Sequence, residues 1–265
     1  MICVVITGST RGIGFELARA FLERGACVFL NGRSEGSVAR ALESLGGASE
    51  RLAGRAADLR ERAEVQALWD AALESFGRVD VWVNNAGLAM DPSPIAAVDP
   101  ARIDAIVATN IAGLMHGSAV AIAGMQAQGS GALYNMEGLG SDYKIRVEGL
   151  SVYAASKAAV RYFTDALVEE LAGGPVLVGA LSPGMVATDL LLDPYRGEPE
   201  RWARDRPMLN LLADRPETVA PWLVAQMLER PKHGRRHLWL SGSKIMARFL
   251  WGRFTRPQIL PEFLD

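Results

Sequence analysis

The chain has 265 residues, 49% of them apolar and 22% charged, with a formal net charge of −2. That balance suits a soluble globular protein with a full core and offers nothing for a polyanion, so no nucleic-acid partner is expected. Three scattered histidines and two cysteines show no ligand spacing, and no metal site is expected.

The apolar run Ile2-Cys3-Val4-Val5-Ile6 predicts a buried strand. It leads into Thr7-Gly8-Ser9-Thr10-Arg11-Gly12-Ile13-Gly14, after which a helix is expected from Ile13 to Arg24. Gly8 permits a tight turn, Gly12 a close approach of backbone to phosphate oxygens, and Gly14 close packing of helix on strand. The first turn of the helix adds unpaired N–H groups and a partial positive charge, so this stretch is a candidate cradle for a dinucleotide pyrophosphate. The second strand, from Ala26, ends in Asn31-Gly32-Arg33-Ser34. An acidic residue here would hold the ribose hydroxyl of NAD. Arg33 instead suits a 2′-phosphate, with Arg11 as a second cation, and NADP(H) is favoured; the alternative for Arg33 is a solvated loop position.

Helix 34–45 and a third strand over 51–57 follow, closed by Asp58-Leu59. Asp58 can accept from an adenine amino group or cap the next helix. That helix, 61–76, carries Val65, Leu68, Trp69, Ala72 and Phe76 at amphipathic spacing. Strand 79–83 ends in Asn84-Asn85-Ala86-Gly87, where two amides are expected to brace the cofactor floor by bonding neighbouring backbone. A long helical stretch, 100–128, holds Asn110 among Ile106, Val107, Ile111 and Leu114, which predicts a buried polar role. Strand 131–136 completes an alternation that predicts one α/β domain, a doubly wound parallel sheet with helices on both faces. Residues 1–150 form its mainly dinucleotide-binding half.

Ser151-Val152-Tyr153-Ala154-Ala155-Ser156-Lys157 opens the next helix, with Tyr153 and Lys157 on one face. An ammonium one turn from the phenol is expected to favour phenolate and bring Tyr153 toward the working range of an acid–base group.

These motifs, with Pro183-Gly184-Met185-Val186-Ala187-Thr188, resemble the short-chain dehydrogenase/reductase family over essentially the whole chain. The resemblance implies a Rossmann-type sheet of about seven strands and hydride transfer. It also implies Tyr153 as proton donor, Lys157 on the nicotinamide ribose, Asn110 holding a relay water, and Pro183 to Thr188 at the carboxamide. The family's serine after strand 5 is missing: aligned on Asn135 it falls on Gly138, whereas counting back from Tyr153 it falls on Ser141. Ser141 is expected to donate to the substrate carbonyl, with a main-chain N–H or Glu137 as substitutes. The segments around Asn135, Pro183 and Arg215 are similar to the chlorophyll b reductase branch, which reduces a 7-formyl group.

Residues 189–214 occupy the place of a substrate lid. Leu190, Leu191, Leu192, Trp202, Met208, Leu209, Leu211 and Leu212 suggest a bulky apolar carbonyl substrate, or ordinary helix packing. A helix over 216–228 and a last strand, 237–240, follow. The tail 244–265 mixes Ile245, Met246, Phe249, Leu250 and Trp251 with Arg248, Arg253 and Arg256. A basic amphipathic helix of this kind lies on a membrane or against another subunit, and the subunit contact, in a homodimer or homotetramer, is favoured. No apolar run reaches the length of a membrane span and strand 1 starts at once, so a cytoplasmic protein is expected. Cys3 and Cys27 are expected to be buried thiols.

Overall fold

The computed structural model describes residues 1–255 and 258–262. In chain order the first half comprises β1 (Cys3–Ile6), α1 (Gly12–Glu23), β2 (Cys27–Gly32), α2 (Glu35–Ser44), β3 (Leu52–Ala56), α3 (Arg62–Phe76) and β4 (Val81–Asn84). Then come α4 (Pro100–Ile106), α5 (Leu114–Gln128), β5 (Gly131–Met136), α6 (Ser151–Glu170) and β6 (Val176–Ser182). The remainder is β7 (Met185–Val186), α7 (Asp189–Leu192), α8 (Pro199–Leu212), β8 (Ala213–Asp214), α9 (Pro216–Glu229), β9 (Arg236–Leu238) and α10 (Gly242–Thr255).

Seven strands form one parallel sheet in the order β3-β2-β1-β4-β5-β6-β9. β1, β2 and β4 are buried along their whole length because helices cover both faces, which is why they read as unbroken apolar runs. One face packs Val4, Ile6, Tyr134 and Leu181 against Leu17 and Phe21 of α1 and Leu223 and Val224 of α9. The other packs Val5, Phe29, Trp82 and Leu133 against Val65, Leu68 and Trp69 of α3 and Val120 and Met125 of α5. The connections reverse direction between β1 and β4, so the carboxyl ends of those two strands open a crevice of the kind that binds ligands in doubly wound sheets. Cys3 and Cys27 face each other across β1 and β2 as free buried thiols.

Three features depart from the sequence expectations. The helical stretch 100–128 is one rod interrupted by a π-helical segment, Val107–Gly113, which joins α4 to α5. By length and composition this rod is apolar enough to cross a membrane, contrary to expectation; 44% of its most apolar window is buried, and Ile106, Leu114, Val120 and Met125 are turned into the core. Second, β7 and β8 form a separate two-stranded parallel ladder that brackets residues 187–212. Third, Lys244 and Arg248 of α10 face the protein. Arg248 is paired with Asp214 at 2.6 Å and Lys244 lies 3.1 Å above the Trp239 ring, while Met246, Leu250 and Trp251 are exposed. The side chains of Arg253 and Phe254, and Arg256 as a whole, lie outside the described residues.

Candidate active site

The turn after β1 is tied down by side chains of the strands beside it. Ser9 donates its hydroxyl to the Ile6 carbonyl at 2.7 Å and its N–H to the Asn31 carbonyl at 2.9 Å. Gly8 N–H donates to Asn31 Oδ1 at 3.2 Å. Gly8 has φ +61°, and a Cβ there would lie 2.8 Å from Ala86 Cα, so only glycine fits between the two loops. A Cβ on Gly14 would lie 2.5 Å from the Gly8 carbonyl, which is the close helix–strand packing expected of it. No side chain caps α1, whose N-cap residue is Arg11, so its first N–H groups face the turn without a side-chain partner. Ile13 packs on the core below. Thr10 covers the end of β2, where a Cβ on Gly32 would meet its methyl group at 2.5 Å.

Arg33 is exposed just beyond β2, and Asp58 faces it across the sheet end. Asp58 accepts from Arg60 Nε at 2.9 Å and from Arg60 N–H at 3.0 Å, and the Arg60 guanidinium holds its carboxyl below the usual range. Leu59 is buried, and its carbonyl meets His116 Nδ1 at 3.1 Å. Arg11 reaches Asp189 at the start of α7, 3.4 Å away, rather than Arg33. Both partners are solvent-exposed, so the pair contributes little stability.

Asn84 and Asn85 both brace the floor. Asn84 accepts from Trp82 Nε1 at 2.7 Å and donates to Ser118 Oγ and Asn135 Oδ1, each at 2.9 Å. Asn85 donates its amide to the carbonyls of Thr7 and Gly8 at 2.9 and 3.0 Å. Thr7, which carried no signal in the sequence beyond preceding the turn, accepts at Oγ1 from the N–H groups of Asn85 and Ala86. The loops after β1 and β4 are thus one unit.

Asn110 lies inside the π-helical segment and is buried. Its Oδ1 accepts from Leu88 N–H at 2.7 Å, and its Nδ2 donates to the Leu88 carbonyl at 2.9 Å and to Ser156 Oγ at 3.0 Å. Ser156 in turn donates to the Tyr153 carbonyl at 2.7 Å. The sequence reading named Ser156 only as part of its motif; a small hydroxyl three residues after the tyrosine is its signal. A Cβ on Gly87 would lie 3.5 Å from Asn110 Oδ1 and 3.7 Å from Lys157 Nζ, so Gly87, Asn110 and Lys157 converge.

Lys157 is buried and donates Nζ to the Met136 carbonyl at 3.1 Å. Burial pulls its ammonium down to about 8, against the attraction of Glu137. Burial likewise pushes the Tyr153 phenol up to about 12, the opposite of the direction expected from the neighbouring ammonium. Loss of solvent around the phenol sets this direction. A Cβ on Gly138 would lie 2.8 Å from the Tyr153 hydroxyl, so the tyrosine fills the space that a larger residue at 138 would need.

The structure does not bring Ser141 to that hydroxyl. Ser141 is buried, donates Oγ to the Lys157 carbonyl at 3.1 Å and accepts from Gly138 N–H at 3.2 Å. The Gly138 main-chain donor is thereby occupied as well. Glu137 points to Arg236, 2.7 Å away. Pro183 and Gly184 follow β6, and a Cβ on Gly184 would lie 2.5 Å from Leu240 Cβ. Val186 pairs with Asp214, and Thr188, the residue before α7, places its methyl group 3.4 Å from where a Cβ on Gly12 would lie. The segment after β6 therefore reaches the glycine turn.

The comparisons with known proteins agree with this geometry. Residues 2–196 match the family model for short chain dehydrogenases. The chain is 33% identical over 272 residues to the probable chlorophyll(ide) b reductase NYC1 of Oryza sativa subsp. japonica, covering 96% of this chain and 53% of that protein. It therefore spans about half the length of that relative. It is also 33% identical over 230 residues to 3beta-hydroxysteroid dehydrogenase 1 of Eggerthella lenta, covering 84% of this chain and 86% of that one. Among solved structures, the 3-ketoacyl-(acyl-carrier-protein) reductase of Brucella melitensis, complexed with NADH, superposes with a TM-score of 0.79 at 28% identity, covering 92% of this chain and 98% of that one. Sheet order, glycine turn and matched relatives together assign the chain to the short-chain dehydrogenase family, oxidoreductases that bind a nicotinamide cofactor, and within it the chain resembles the chlorophyll b reductase branch.

Proposed function

We propose that the protein is an NADP(H)-dependent reductase of a carbonyl on a bulky apolar substrate, with a formyl group on a chlorophyll-type macrocycle as the leading candidate. The observation that carries this reading is where the exposed apolar side chains lie. Ile95 follows β4, Tyr143, Ile145 and Val147 follow β5, and Leu190 follows β6. All leave the carboxyl ends of adjacent strands, the end at which such sheets bind ligands. Ser93 N–H, donating to the Gly149 carbonyl at 3.0 Å, ties two of these connections together. A rim of this kind suits a large flat substrate better than a small hydroxy acid.

The glycine turn from Gly8 to Gly14 and the uncapped start of α1 fit a pyrophosphate. Arg33, with no carboxylate at the end of β2, fits a 2′-phosphate, and Asp58 and Leu59 flank the adenine side. Asn85, Ala86, Gly87, Tyr153, Lys157 and the segment Pro183 to Thr188 line the nicotinamide side. The bound cofactor supplies hydride chemistry to the carbonyl carbon. Tyr153, kept protonated by burial, donates its phenolic proton to the carbonyl oxygen. Lys157 and Asn110 stand behind it to return that proton from solvent. Gly138, lacking a side chain, lets the Tyr153 hydroxyl come close to its backbone, so no serine hydroxyl stands beside the tyrosine from that position. Exposed Tyr162 on α6, with Val107 and Met115 on the neighbouring rod, supplies a surface for pairing with a second copy.

The test is NADPH-dependent turnover of chlorophyllide b with product chromatography, run beside Tyr153→Phe. The hydroxymethyl product is expected from the wild type, with a loss of ~10²–10⁴ in rate for the variant. No turnover with NADPH binding intact refutes the pigment substrate. The broader coverage of the Eggerthella lenta relative favours a keto-steroid as the second substrate to try. Full activity in Tyr153→Phe refutes the catalytic assignment.

A further inference from the structure

We infer that Glu137 is a positioning residue of the proton relay: its buried carboxylate, clamped by Arg236, acts as the counter-ion that keeps the Lys157 ammonium charged behind Tyr153. The inference rests on the reading of Tyr153 and Lys157 as that relay.

Glu137 directly follows β5, and its N–H donates to the Leu181 carbonyl of β6 at 2.8 Å. Asn135, two residues earlier, donates to Thr164 of α6 at 2.9 Å, so strand alternation turns Glu137 toward the same helix. On α6, Lys157, Arg161 and Asp165 recur at four-residue spacing and form one ladder. The Lys157 stem runs alongside residues 136–138. A Cβ on Gly138 would lie 3.3 Å from its Cγ and Cε, and its Nζ ends on the Met136 carbonyl. Glu137 is the residue between those two contacts.

The charges around it are laid out in alternation. Arg236 reaches from β9, donating Nε to Glu137 at 2.7 Å and Nη2 to Asp165 at 3.0 Å. Arg161 donates to Asp165 at 2.9 Å and to the Ser141 carbonyl at 3.3 Å. Two guanidinium groups, Arg161 and Arg236, thus pair with two carboxylates, Glu137 and Asp165, and Lys157 stands one helical turn before Arg161. The Glu137 side chain is only 2% exposed. A buried ion pair of this kind is a poor device for stability alone, because desolvation offsets most of its attraction. Beside a lysine whose charge burial opposes, it has a use: it works against that loss of charge and favours the ammonium that returns the proton.

The test uses the full chain without cofactor or substrate, so its outcome is independent of the proposed substrate. Amines are trace-labelled with acetic anhydride across neutral to alkaline pH, and the Lys157 peptide is followed by mass spectrometry. Glu137→Gln is expected to lower the Lys157 midpoint by ~1 unit or more, and Glu137→Asp to restore most of it. An unchanged midpoint in a folded Glu137→Gln protein overturns the inference, as does an equal drop in Glu137→Asp. If Glu137→Gln does not fold, carboxyl ¹³C NMR of the wild type decides. The Glu137 resonance is expected to move through the Lys157 titration, and to lose that step in Lys157→Met. A resonance that stays still refutes the coupling.

Discussion

Asn84→Ala tests the brace beneath the site. Asn84 is 3% exposed and joins β4, α5 and β5 through Trp82, Ser118 and Asn135. Truncation leaves Ser118 donating to the Leu114 carbonyl and the Asn135 amide donating to Thr164. It strands two groups, the Trp82 indole N–H and Asn135 Oδ1, in residues that are 0% exposed. Each orphaned group costs about 1–3 kcal/mol, so the expected loss is roughly 4 kcal/mol before any cavity is counted. A domain stable by ~5–15 kcal/mol survives this, but with a much lower urea midpoint. Intrinsic tryptophan fluorescence during urea unfolding reads it. A double-mutant cycle with Asn135→Ala is expected to show coupling of about 1 kcal/mol or more, since the two amides are bonded directly to each other. A loss below ~1 kcal/mol for Asn84→Ala would show that the amide network does not hold the floor.

Three further outcomes are expected. Gly138→Ser, which restores the hydroxyl common in the family, is expected to slow turnover about tenfold or more, because its Cβ would displace the Tyr153 hydroxyl from 2.8 Å; a faster enzyme would refute this. Arg33→Ala is expected to weaken NADPH binding by about tenfold or more while leaving NADH binding nearly unchanged, measured by calorimetry; equal losses for both would remove Arg33 from the phosphate site. Lys157 titrates at about 8 in the fold against 10.5 for the free side chain, so between these values the unfolded chain binds more protons and stability rises with pH. Wild type is therefore expected to gain on Lys157→Met as pH climbs through that window, by an amount on the order of 3 kcal/mol, and parallel stability curves for the two proteins would refute the burial of charge.

The strands were legible because a parallel sheet covered on both faces leaves uninterrupted apolar runs, as in Val4 to Ile6 and Val28 to Leu30. The glycine turn and the Tyr153–Lys157 spacing were legible because each is set by backbone geometry within one or two turns of chain. Ser141 was not, since its distance from Tyr153 along the chain says nothing about where a loop turns its hydroxyl; the bonds to Lys157 and Gly138 are made only once that loop has closed on α6. The orientation of α10 was hidden for a similar reason. Lys244 and Arg248 face inward because the Trp239 ring and the Asp214 carboxylate, the latter contributed from 34 residues earlier, meet them there. The two-residue strands β7 and β8 are too short to leave any periodic signal.

The π-helical segment at Val107–Gly113 sets the phase of the rod as well as its course. Each residue of an α-helix advances the chain by about 100°, so one residue more or fewer in this turn rotates everything on one side against the other. As built, α4 keeps Ile106 in the core, α5 keeps Val120 and Met125 on the sheet, and Asn110 between them faces Leu88 and Ser156. The phase of the rod is therefore set at this turn: a residue added to or removed from it is expected to carry Asn110 away from Leu88 and Ser156 by about 100°.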